Sequence, residues 1–164
     1  MCLGPQLLQA NELQDIEKLY RTGDLQQALQ RADAAIEAQP RAAQMRFLKG
    51  VMLSDLKRNA EATQVFAALT EDFPELPDPY NNLAVLYAAD GQLQSALNAL
   101  QTALRNDPNH RAARENLGDV HLALAQQAWT LAQAGSKGDD AELRRKLRLA
   151  REIQSMPAAS RPPG

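Results

Sequence analysis

In the stretch "DPYNNLAVLYAADGQLQSALNALQTALRNDP", residues 78–108, small and apolar residues recur at regular spacing. Tyr80, Leu83, Ala84 and Tyr87 recur at i, i+3, i+4 and i+7, which places them on one face of a helix. Asp90 and Gly91 then break the pattern. Leu93, Ala96, Leu97, Leu100, Ala103 and Leu104 repeat the spacing, and Asn106, Asp107 and Pro108 stop it. The stretch therefore predicts two helices joined by a tight turn, with small residues where their backbones approach closely.

Elsewhere in the chain the same punctuation recurs at a fixed interval. Pro40, Pro74 and Pro108 are 34 residues apart, as are Ala28, Ala62 and Ala96, and Leu25, Asn59 and Leu93. Gly23 and Gly91 share a column in which the middle copy has Lys57. Gly50, Ala84 and Gly118 form a column of small residues, and Ala32, Phe66 and Leu100 a column of core-filling ones. A constant period in this range is the mark of a stacked array, in which each hairpin buries its apolar face against the next.

This pattern resembles the tetratricopeptide repeat. The unit 77–110 carries Tyr80, Leu83, Ala84, Tyr87, Gly91, Ala96, Leu100, Ala103 and Pro108 in that family's signature columns. The unit 43–76 matches through Gly50, Leu53, Ala62, Phe66 and Pro74, and the unit 9–42 through Gly23, Ala28, Ala35 and Pro40. The run from Gln44 to Tyr87 is similar to bacterial members. The resemblance implies an all-α fold, a right-handed superhelical solenoid of antiparallel helix hairpins, covering about residues 9–134 after a flexible segment 1–8.

A fourth unit, 111–134, is degenerate. It keeps Leu117 and Gly118 but has Ala125 in the turn column, so one helix is expected to run from Arg111 to Ala134. Asp139, followed by Glu142 three residues later, has the form of a capping box opening a capping helix over 139–155. Leu143, Leu147, Ala150 and Ile153 are read as its buried face, and Arg144, Arg145, Lys146, Arg148 and Arg151 as its solvated ones. The solvated face of a cap is the favoured reading of that basic run, with an acidic partner or a membrane surface as the alternative. Trp129 is placed at the junction with this cap, or else serves as an interface anchor. The proline-rich tail 156–164 is expected to be disordered.

Composition removes several classes of function. The 164 residues are 45% apolar, enough for a core, and 18 basic against 20 acidic residues leave a formal charge of −2. That balance gives no overall pull toward nucleic acid. The lone Cys2 excludes an intrachain disulfide or a thiolate metal cage. No apolar run reaches the ~20 residues of a membrane span, and the first residues lack the form of a secretory signal. A cytoplasmic location is the default expectation, periplasmic if a leader precedes the chain. No phosphate-binding glycine loop occurs. His110 is read as a solvated loop residue and His121, in the column of Leu53 and Tyr87, as a packed one, neither with a nucleophile in reach. No catalytic residue, cofactor or metal is expected.

The expected site is the groove. In a solenoid of this family the first helix of each unit lines the concave face, so the resemblance carries certain columns over as partner-facing. The first unit contributes Gln14 and Glu17; the second, Gln44, Phe47, Leu48 and Val51. The third contributes Asp78, Asn81, Asn82 and Val85, and the fourth Glu115, Asn116 and Asp119. Asn82 and Asn116 share a column with Gln14, and amides that both donate and accept can pair with the backbone of an extended peptide. The same asparagines could instead bridge neighbouring helices. Phe47, Leu48 and Val51 form an apolar patch beside them. The family's carboxylate clamp for chaperone tails needs lysine, asparagine and arginine where this chain has Phe47, Val51, Asp78 and Ala112, so capture of such a tail is not expected. The expectation is a protein or peptide partner held by a scaffold without catalysis, or alternatively a homo-oligomer built through a terminal repeat or the last helix.

Overall fold

In the computed structural model the residues described are 5–135 and 140–155, without the side chains of 5–10. The expected capping residue Asp139 and the tail 156–164 lie outside them, as do residues 1–4 of the expected leading segment. The described residues form helices and no strand: α1 (Pro5–Arg21), α2 (Leu25–Ala38), α3 (Ala43–Asp55), α4 (Asn59–Asp72), α5 (Pro77–Ala89), α6 (Leu93–Asn106), α7 (Arg111–Gly135) and α8 (Ala141–Ser155). Each packs on the next in sequence, and α1 also meets α3 and α5 meets α7. The result is an α-helical solenoid.

Two kinds of turn alternate, and each recurs with the sequence period. After α1, α3 and α5 the amide of the second turn residue reaches back three, and the next amide reaches back five: Gly23 to Tyr20 and Asp24 to Leu19, Lys57 to Ser54 and Arg58 to Leu53, Gly91 to Ala88 and Gln92 to Tyr87. This arrangement requires a left-handed residue, and Gly23, Lys57 and Gly91 have φ of 88°, 61° and 76°. After α2, α4 and α6 the amides of Gln39, Phe73 and Asp107 bond the carbonyls of Ala35, Leu69 and Ala103. Three residues later Ala42, Leu76 and His110 close a second bond, to Gln39, Phe73 and Asp107.

Burial follows the columns. Ile16, Ala28, Ala32, Met52, Leu53, Ala62, Phe66 and Leu69 fill one core cluster, while Ala84, Ala96, Leu100, Ala103, Ala113 and Val120 fill a second. Phe66 is wholly buried and stands over Gly50, where a Cβ would come within 2.6 Å of its ring. Burying such a ring contributes about 1.5–3 kcal/mol.

The fourth unit differs. With no breaker at Ala125, α7 continues unbroken to Gly135, and the partner helix of the earlier units is replaced by α8, which packs on α7. Asp140 caps α8, its carboxylate accepting from the amides of Glu142 and Leu143 at 3.0 and 3.1 Å. Leu147 and Ala150 are its buried residues. Two expectations are corrected here. Ile153 is 52% exposed, because at about 3.6 residues per turn it has rotated off the face of Leu147. His121 is exposed, because the face that covers Leu53 in the second unit has no equivalent helix over it in the fourth.

Candidate concave binding face

The helices α1, α3, α5 and α7 carry the residues expected to face a partner. Gln14 and Gln44 are exposed. Glu17 pairs with Arg21 at 3.1 Å on its own helix. One turn on, Tyr20 donates its hydroxyl to the Asp55 carboxylate, tying α1 to α3. Burial together with this bond pushes the Tyr20 phenol up to about 12.

Phe47, Leu48 and Val51 are half-buried and pack against the first core cluster. Phe47 lies against Phe66, ring centroids 5.5 Å apart and tilted by 59°. The patch is therefore partly a wall of the core.

The asparagines are spent within the chain. Asn82 donates to the Asp78 carbonyl at 2.9 Å, one turn back on α5. Asn116 donates to the side-chain oxygen of Asn81 at 2.8 Å, and Asn81 is buried, so this bond ties α7 to α5. The His110 ring does more than expected of a solvated residue. Its Nδ1 accepts from the Ala113 amide at 3.1 Å, capping α7, while Nε2 lies 3.0 Å from Asp78. Its side chain is only 12% exposed. Glu115 pairs with Arg111 at 2.9 Å.

Val85, Asn116 and Asp119 do converge. They border a hollow of about 230 Å³ between α5 and α7, floored by Leu100 of α6 and Val120 of α7. Val85 is 46% exposed, and Asp119 has no ion-pair partner among the described residues. What opens this space is the small size of Ala84, Ala88 and Ala123, none of which was among the residues expected in the groove, Ala84 having been read as a packing residue. Their signal was in the sequence as alanines facing each other from successive first helices. Chemically, the hollow offers an apolar floor and one carboxylate with no ion-pair partner among the described residues, suited to an aliphatic side chain with a cation beside it. Among the described residues no group of three histidine, cysteine or carboxylate side chains could hold a metal ion. No helix there is long and apolar enough to cross a membrane.

Two sequence models described as tetratricopeptide repeat match residues 17–77 and 77–110. No curated protein matches the chain at a significant level. Among solved structures, MamA from residue 41 to its end, of Desulfovibrio magneticus RS-1, is 23% identical, with a TM-score of 0.63 over 88% of this chain and 76% of that one. The first tetratricopeptide domain of Spaghetti (RPAP3), bound to the HSP90 peptide SRMEEVD, is 18% identical, with a TM-score of 0.67 over 71% of this chain and 92% of that one. A tetratricopeptide repeat protein of Parabacteroides merdae is 18% identical, with a TM-score of 0.64 over 88% and 59%. At these identities the likeness establishes the fold.

Proposed function

Because the chain belongs to the tetratricopeptide repeat family, whose matches together span residues 17–110 and so more than half of it, we propose that it is a non-catalytic interaction module whose concave face holds an extended or helical segment of a partner protein. The observation that carries this reading is the hollow bordered by Val85, Asn116 and Asp119, where a large apolar side chain stands half exposed beside an unpaired carboxylate. A peptide bound in this way reuses the helix-in-groove or extended-strand modes, in which a few anchors set affinity. The bound peptide of the RPAP3 domain is acidic at its end. Asp78 and Asp119, both exposed, are among the residues expected to face the partner, which supports a neutral to basic segment.

The test is comparative capture from lysate of the source cell with the wild-type chain and Val85→Asp. Val85 is exposed enough for the change to leave the fold intact, which circular dichroism checks. Phe47→Ala and Asn116→Ala are poor probes, since Phe47 packs on Phe66 and Asn116 holds Asn81. A partner held by wild type and lost from Val85→Asp is the expected result. Partners retained equally by both would move the binding face elsewhere.

A further inference from the structure

The described large apolar side chains left well exposed are Val85, Leu131, Leu149 and Ile153, three of them on α7 and α8. Leu149 and Ile153 are one turn apart and form a short stripe, 45% and 52% exposed, on the side of α8 away from buried Leu147 and Ala150. An outward apolar stripe on a capping helix is not needed for capping. It is flanked by charge: α8 has five basic residues against two acidic ones, in a chain whose net charge is −2, so the rest of the chain carries an excess of acid. Lys146 pairs with Glu142 at 2.8 Å, and Arg148 lies 3.9 Å from Glu152. Arg145, one turn before Leu149, has no acidic partner among the described residues.

This stripe and the concave hollow are complementary. One presents aliphatic side chains beside an unpaired cation, the other an apolar floor beside the unpaired Asp119 carboxylate. We infer that the outward face of α8 of one copy seats in the Val85–Asp119 hollow of a second copy, Leu149 and Ile153 on the apolar floor and Arg145 against Asp119. The inference rests on the reading of the hollow as a binding face and names a second copy of this chain as its occupant. Packing α8 against α8 would instead bring two basic helices together, which like-charge repulsion opposes. Seating α8 in the hollow of its own chain would require pulling Leu147 and Ala150 off α7. The contact is therefore made between copies, and it is heterologous, so each added copy leaves one stripe and one hollow unused and assembly continues.

The experiment is sedimentation velocity of the full chain over a range of concentrations, at low and high salt. Wild type is expected to grow past the dimer with concentration and to do so less at high salt, where the Arg145–Asp119 attraction is screened. Leu149→Asp with Ile153→Asp removes the stripe, and Val85→Asp with Asp119→Arg removes the hollow. All four positions are exposed, and circular dichroism checks both folds. Each variant alone is expected to be monomeric, while an equimolar mixture forms a dimer and stops there, because only one intact stripe and one intact hollow remain to meet. Arg145→Glu is expected to weaken association about tenfold or more, and to regain it when mixed with Asp119→Arg. A wild type that stays monomeric, or variants that associate as wild type does, would overturn the inference. If wild type is monomeric yet Val85→Asp loses a captured partner, the groove reading stands and only the self-association fails. If Val85→Asp changes neither, both fail.

Discussion

Gly50, Ala84 and Gly118 occupy one column of the repeat but meet different surroundings. Gly50 lies under the Phe66 ring, Ala84 is buried in the cluster that holds Leu100, and a Cβ at Gly118 would meet nothing within 4 Å. The same substitution should therefore have opposite signs at the two glycines. Gly50→Ala is expected to destabilise by about 1–3 kcal/mol through overpacking, and less so in combination with Phe66→Leu, which reproduces the Ala84 and Leu100 pairing of the next unit. Gly118→Ala is expected to stabilise by about 0.5–1 kcal/mol, since a glycine within a helix loses more entropy than alanine. Urea denaturation of the three variants decides it; equal effects at both glycines would contradict the packing account. Lys57 is the complementary case. Its φ of 61° is the conformation that Gly23 and Gly91 adopt without a Cβ penalty. Left-handed backbone costs a non-glycine residue about 1–2 kcal/mol, part of which glycine gives back as unfolded-state entropy. Lys57→Gly should raise stability by about 0.5–1 kcal/mol on the same measurement.

At the scale of elements, the helices were legible wherever the period held, because each column keeps its neighbour when the unit repeats. Tyr87 and Leu53 therefore predict each other. The rule failed at His121, where the neighbour is gone, and at Ile153, where four positions read as one face had already turned too far. It also missed His110. Capping through Nδ1 and the approach to Asp78, 32 residues away, depend on how one hairpin sits on the next. Ala42 and Leu76, at the same position in the other units, cannot cap with their side chains. Of the residues expected in the groove, Val85, Asn116 and Asp119 border one hollow, but its chemistry was not legible, since amides that could meet a peptide are equally able to meet each other, as Asn116 and Asn81 do. The two faces of α8 can be separated by experiment. Leu147→Ala should cost about 2–4 kcal/mol, the loss expected for a buried leucine, while Leu149→Ala should change stability by no more than about 0.5 kcal/mol. Thermal denaturation at low concentration, where copies do not associate, isolates this difference.

Among the described residues two core clusters lie in series, one spanning α1 to α5 and the other α5 to α7, and α5 is common to both, while the Asn106 side chain of α6 donates to the Pro74 carbonyl at 2.7 Å across the start of α5. Cooperativity between them is then a nearest-neighbour matter, as in other stacked arrays. Tyr87 packs against both clusters. Truncating it should weaken the coupling more than it weakens either cluster. The chain contains a natural local probe, since its one tryptophan, Trp129, lies on α7 beyond the second cluster. In wild type, urea unfolding followed by Trp129 fluorescence and by far-ultraviolet circular dichroism should coincide, the sign of a single transition. In Tyr87→Ala the fluorescence midpoint should fall below the circular dichroism midpoint. The α7 and α8 end, held by the smaller, alanine-rich cluster, then opens while α1 to α4, built around Phe66, Met52 and Leu69, stay folded. Coincident midpoints in the variant would mean that coupling runs through the backbone of α5 and its turns, and that Tyr87 is only one apolar contact among many.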